Sequence, residues 1–241
     1  GTVQEAYRIQ VAVGQANFEA PLWDSGRISS DESVLIPYEG PETLSRTRYY
    51  YRVKAWDNFG RESEWSKADW WETALLSAGE WTAKWITPDS RAIDPAAEPA
   101  FLLRRSFELS RGDIVSARIY ATALGVYELI LNGSKVGDEE LAPGWTSYDK
   151  RLQYQTYDVT ELVCEGGNAL GVMVANGWYK GRLGWENKSN HYGDRRAILV
   201  QMHIRYGDGS ETVIAGDEAW KTATGPVLFS ELYDGETYDA R

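Results

Sequence analysis

From residue 176 to 195 the chain runs Asn-Gly-Trp-Tyr-Lys-Gly-Arg-Leu-Gly-Trp-Glu-Asn-Lys-Ser-Asn-His-Tyr-Gly-Asp-Arg, a stretch crowded with side chains suited to one kind of chemistry. Trp178, Tyr179, Trp185, His191 and Tyr192 offer flat faces, while Asn176, Asn187, Asn190, Lys180, Arg182, Asp194 and Arg195 offer donors and acceptors. A sugar ring presents an apolar C–H face that stacks and hydroxyls that both give and take hydrogen bonds. Asn176, Trp178, Tyr179, Arg182, Trp185, Asn187, Asn190, His191 and Tyr192 are therefore the candidate carbohydrate-binding residues of this loop. The competing reading is structural: Trp178, set between glycines after a strand, plugs the end of a sandwich, and Arg182 or Arg195 pairs with Asp194 to pin the loop. A second aromatic segment, Pro143-Gly144-Trp145-Thr146-Ser147-Tyr148-Asp149-Lys150-Arg151, serves either as a strand connection with Trp145 or Tyr148 packed inward, or as the other wall of a groove.

Catalytic constellations are missing from the same sequence. Glycoside cleavage needs two carboxyl groups at a fixed separation, and the acids here (Asp138, Glu139, Glu140, Asp194, Asp217, Glu218, Asp234, Glu236, Asp239) are scattered as on any acidic surface. The two histidines, His191 and His203, have no metal-ligand spacing with each other or with Cys164. His203 alternates with Met202 and Ile204 and reads as a structural strand residue. Neither a phosphate-binding glycine loop nor a Gly-x-Ser-x-Gly element occurs.

Thirty-six acids against 25 bases give a net charge of −11 with no basic run, which argues against nucleic acid as a partner. No apolar run reaches the ~20 residues of a membrane span. The lone Cys164 leaves no disulfide framework, and no signal peptide is visible, so a cytoplasmic and a secreted location both stay open. The outlier is aromatic content: 11 Trp and 15 Tyr against 5 Phe. Most of these are expected in β-sandwich cores.

Period-two alternation between Gly, Asp, Asn and Pro turns predicts an all-β chain. Tyr7 to Val13 carries apolar residues at odd positions, so one face is expected to be buried. Tyr49, Tyr51, Val53 and Ala55 share a face of the next strand, and a third strand is expected near 68–73. A boundary falls near residue 78, dividing domains 1–78 and 79–241, and a Pro/Ala/Asp-rich stretch follows at 88–99. Further strands are predicted near 115–123, 126–132, 152–157, 168–175, 196–206 and 210–215, with tight turns at Asn132-Gly133 and Gly207-Asp208-Gly209. Asp158 with Glu161 reads as a capping box opening a one-turn helix that Gly166-Gly167 stops.

Several of these pieces also resemble known families. Ser45 to Asp57, Gly60 and Glu64-Trp65-Ser66 resemble a fibronectin type III domain. That resemblance implies two strands before Tyr7–Val13, which leads us to expect a truncated sandwich whose exposed edge could support self-association. Leu124-Gly125-Val126-Tyr127-Glu128-Leu129, Leu131-Asn132-Gly133, Tyr157 to Leu162 with Gly167-Asn168-Ala169-Leu170, and Asn176-Gly177-Trp178-Tyr179 resemble the N-terminal, non-catalytic region of bacterial α-L-rhamnosidases. This implies a jelly-roll, galactose-binding-like β-sandwich after the first domain. It also implies a glycoside hydrolase whose helical catalytic barrel is expected outside this chain, leaving the chain itself inactive. The partners implied are an L-rhamnose-containing glycan or glycoside and that catalytic domain; the alternative is a docking domain with no ligand. Some related modules bind L-rhamnose through calcium, which would fall to Asn132, Asn176 and Asp194 here. Calcium prefers carboxylates among its six to eight oxygens, and the neighbour of Asn176 is Ala175.

Overall fold

The computed structural model describes residues 1–89 and 98–241, so most of the Pro/Ala/Asp-rich stretch lies outside the described residues. The chain divides into two compact units, Gly1–Glu80 and Trp81–Arg241.

The first unit is built on one antiparallel sheet. Strand β1 (Gln4–Val13) pairs with β2 (Trp23–Asp24) and β3 (Ile28–Ser29) on one side and with β4 (Arg48–Asp57) on the other, and β5 (Asp69–Glu72) closes the order beyond β4. Register places Val11 opposite Tyr51 and Gln10 opposite Arg52, which gives the two faces different chemistry. On the odd face Tyr49 stacks on Trp71 at 5.3 Å, and Tyr38 meets Trp23 and Trp71 edge-on at 5.2 and 6.0 Å. Val11 and Tyr49 are buried there, so this face is covered by the Tyr38 segment and is not bare.

Alternation alone left the even face to solvent, but Ala6, Gln10 and Ala12 are buried too. The cover is polar and aromatic. Arg52 lies over Phe18 and Trp65 at 4.6 and 4.4 Å, donates to Gln10 Oε1, and Gln10 in turn donates to Asp24. Cation–π stacking lets guanidinium groups shield a sheet face that aliphatic residues would otherwise have to cover.

The second unit is a two-sheet sandwich. Its strands are β6 (Phe101–Leu109), β7 (Ile114–Leu124), β8 (Val126–Leu131), β9 (Ser134–Val136), β10 (Gln155–Asp158) and β11 (Gly166–Ala175). After helix α1 (Gly177–Lys180) come β12 (Ala197–Tyr206), β13 (Glu211–Ala215), β14 (Lys221–Thr224), β15 (Val227–Glu231) and β16 (Gly235–Tyr238). One sheet runs β10-β7-β12-β13, the other β14-β6-β11-β8-β9, and β15 and β16 form a separate hairpin. Ala117, Ile119, Ala121, Ile198, Val200 and Met202 of the first sheet pack against Phe101, Leu103, Leu129, Leu131, Leu170 and Val172 of the second, forming the core between them.

The outer face of the β7–β12 sheet is covered as well. Gln201, fully buried, accepts from Thr82 N at 2.7 Å and Ala83 N at 3.0 Å, tying the segment after residue 80 across that sheet. At the β8–β9 turn Asn132 and Gly133 have φ of 51° and 88°, the left-handed pair a tight hairpin needs.

Two local expectations are corrected. The turn at Thr160–Leu162 is a 3-10 turn whose N-cap is Val159 with no side-chain cap. Asp158 instead accepts from Thr160 N at 3.1 Å and pairs with Arg118 at 2.7 Å, so the capping box does not form. Gly166 does not stop a helix; it opens β11. Strands β14 to β16 had no sequence counterpart, because they are short and β14 and β16 are exposed on both faces.

Candidate functional site

Strand β11 ends at Ala175 and the chain turns at once into α1. Gly177 makes that turn: its φ is +54°, and a Cβ there would lie 2.4 Å from Val126 Cγ1 and 3.0 Å from Val126 N. The single helical turn aims its residues in two directions. Asn176 and Lys180, four apart, face a buried polar cluster; Trp178 and Tyr179 face the 143–151 segment.

In the polar cluster, Asn176 is fully buried and donates its amide hydrogens to Glu98 at 2.7 Å and Glu231 at 2.8 Å. Lys180 pairs with Glu98, and Glu231 also accepts from Arg182 N at 3.1 Å. Arg196 is buried and lies over Phe101 at 5.2 Å; among the described residues its Nη1 has no hydrogen-bond partner, nor has Asn176 Oδ1. Burial disfavours the charge on Glu98, but hydrogen bonds from Lys180 and Asn176 outweigh it and hold the carboxyl below its ordinary range. Burial likewise pulls Arg196 down, against the attraction of Glu98 and Glu231.

The aromatic side is a rigid cluster. Trp145 and Trp178 lie nearly parallel, with an 8° interplanar angle and centroids 6.5 Å apart. Trp145 Nε1 donates to the Tyr192 hydroxyl at 3.1 Å; Tyr148 packs on Tyr192 at 5.0 Å and on Tyr179 at 5.4 Å. Burial, with Tyr192 adding to it, pushes Tyr148 up to about 12, so its hydroxyl stays neutral and donates to Gly144 O at 2.8 Å. The 143–151 segment therefore stands against the 176–195 loop. Trp145 remains 57% exposed despite these contacts, and Trp178 is half-buried.

The rest of the loop is braced by its own polar groups. Asn190 N donates to Lys180 O at 2.7 Å and its Oδ1 accepts from Lys180 Nζ at 3.2 Å. Arg182 bonds Asn187 and pairs with Asp234 at 2.6 Å, so Asp234, not Asp194, takes the arginine. Asn187 and Asn190 adopt left-handed φ of 55° and 61° and shape the loop tip. His191 Nε2 lies 3.0 Å from Lys188 O, and Trp185 projects fully into solvent.

Asn132 does not join this group. The β8–β11 ladder pairs Leu131 with Leu170 at one end and Val126 with Ala175 at the other, which puts Asn132 and Asn176 at opposite ends. Along the ladder Asn132 is level with Ala169, seven residue steps from Asn176, roughly 24 Å at strand rise. Asn132 spends its amide on Leu162 O, Asn168 Oδ1 and Ala169 N, each at 2.8 Å. Asn132, Asn176 and Asp194 thus do not fit a single calcium site. Among the described residues no three His, Cys, Asp or Glu side chains converge as a metal site.

Sequence reasoning missed Glu98, Glu231 and Arg196. Glu98 follows a stretch with no periodicity and Glu231 ends a strand that was not foreseen, so no local pattern marked either. Arg196, at the start of β12, could have been noticed as a charge entering an apolar strand.

The model of the α-L-rhamnosidase N-terminal domain matches residues 112–241, and that of the Rha78A-like N-terminal immunoglobulin domain matches residues 1–77. The chain belongs to the α-L-rhamnosidase N-terminal domain family. The first unit resembled fibronectin type III in sequence, a domain that shares the sandwich architecture of the immunoglobulin fold. An α-L-rhamnosidase of Formosa agariphila is 42% identical over 98% of this chain and 26% of its own length. The structure of Streptomyces avermitilis α-L-rhamnosidase complexed with L-rhamnose matches 100% of this chain and 39% of that one, at a TM-score of 0.91 and 29% identity. That of Aspergillus terreus α-L-rhamnosidase gives 0.87 at 38% identity, covering 100% and 28%. The chain spans about a quarter to two fifths of the length of the rhamnosidases it matches. A fungal enzyme among these structures means that the likeness extends beyond bacteria.

Proposed function

We propose that this chain is a non-catalytic, carbohydrate-binding part of an α-L-rhamnosidase and that its ligand is an L-rhamnose-containing glycan or glycoside. The observation that carries this reading is the aromatic wall made by two loops, in which Trp178 and Trp145 lie parallel beside Tyr148, Tyr179 and Tyr192. Stacking of a sugar's C–H face on Trp178 uses the flat face the loop presents, and the candidate hydroxyl partners Asn187, Asn190, Arg182 and His191 belong to the same loop. Glu98 and Glu231 are engaged by Asn176, Lys180 and Arg182 N, so general acid–base cleavage is not assigned to them. Calorimetry with L-rhamnose tests the reading. Saturable heat at millimolar sugar or below, lost in Trp178→Ala with the fold intact, supports it; a folded protein giving no heat refutes it.

A second reading, a docking surface with no ligand of its own, is favoured by Trp185, a fully exposed indole at the loop tip. It predicts no response to any sugar.

A further inference from the structure

Trp145 is exposed and yet firmly held. It is not a core residue, since more than half of its surface is open, yet its orientation is fixed at both ends. Its Nε1 donates to the Tyr192 hydroxyl at 3.1 Å, and its plane lies within 8° of Trp178 at a centroid distance of 6.5 Å. Tyr192 is itself buttressed by Tyr148, whose ring packs on Tyr179 and whose hydroxyl is tied to Gly144 O. An exposed indole with no ligand would ordinarily be free to rotate. One locked parallel to a neighbour is preorganised to receive a flat face with little entropy left to lose. The two indoles are stacked nearly parallel, so flat rings laid against them would share one orientation.

We propose that Trp145 provides a second ring-binding position beside Trp178, so that the site takes a two-ring ligand: a rhamnosyl unit on one indole and a second flat ring on the other. This rests on the carbohydrate-binding reading above and specifies its ligand. The second ring is recognised by its apolar face, which a further sugar and an aromatic aglycone share. Trp145 thereby sets selectivity for a glycoside over free L-rhamnose.

The test is calorimetry of the full chain with methyl α-L-rhamnoside, a rhamnosyl disaccharide and 4-nitrophenyl α-L-rhamnoside. At least one two-ring ligand should bind about tenfold more tightly than the methyl glycoside, the advantage expected of one additional stacked ring. Which ligand gains identifies the second ring as sugar or aromatic. Trp145→Ala should bring the two-ring to one-ring affinity ratio to within about twofold of unity, and Trp145→Phe, which keeps a face, should retain most of it. A wild-type ratio near one, or a ratio that survives in Trp145→Ala, overturns the proposal while leaving monosaccharide binding in place. Failure of all three ligands, in a protein folded by circular dichroism, overturns the carbohydrate reading and this inference with it.

Discussion

Asn176 sits where a sugar-binding residue was expected, but its amide hydrogens are already committed to Glu98 and Glu231. Removing it leaves one oxygen of each half-buried carboxylate short of a donor, at about 1 kcal/mol or less for each. Asn176→Ala should therefore lower the thermal midpoint measured by calorimetry, and a loss of sugar binding in that variant would report stability as much as recognition. Trp178→Ala and Trp145→Ala are the cleaner probes. Glu98 also sets a pH dependence. Its folded-state pKa lies below its ordinary value, so the folded state binds the proton more weakly than the unfolded state does. The contribution is fully present above the ordinary glutamate range and is lost as pH falls through that range to the depressed value. Between about pH 5 and pH 3 the wild type should lose more stability than Glu98→Gln, measured as melting temperature against pH. Equal slopes would mean that Lys180 and Asn176 do not favour the ionised form.

At the scale of elements, the β11–α1 junction decides how the site is displayed. Gly177→Ala forces a side chain into left-handed backbone and against Val126. It should cost about 1–3 kcal/mol of unfolding free energy in denaturant titrations, and should weaken sugar binding because Trp178 and Tyr179 move with the helix. The same junction shows how far the sequence could be read. Strands such as Tyr49 to Trp56 and the Asn132-Gly133 turn were legible because period two and positive-φ residues are local signals. The Trp145–Tyr192 bond was not, since it joins positions 47 residues apart, and the groove emerges only when two loops meet. Asn132 and Asn176 stood together as candidates until the antiparallel register of β8 and β11 set them at opposite ends. Period two also failed on β1, whose even face is buried by arginine and tryptophan, residue types that a hydropathy pattern counts as exposed.

For the whole molecule, the proposed recognition site lies in the second unit. Both walls of the groove, Trp145 to Tyr148 and Trp178 to Tyr192, the acids that brace it, and a complete two-sheet core lie within Trp81–Arg241. Expressed alone, residues 81–241 should fold cooperatively and keep the L-rhamnose affinity of the full chain within about twofold, because every residue assigned to the site lies in that unit. The most direct measurement of the proposed carbohydrate site is a titration of L-rhamnose followed by NMR of the tryptophan indole N–H resonances, assigned by single substitutions. Saturable shifts are expected for Trp145 and Trp178, with Trp23, Trp56, Trp65, Trp70 and Trp71 of the first unit unmoved. Saturable shifts confined to first-unit indoles, or no shift in any indole at millimolar sugar, would contradict that site.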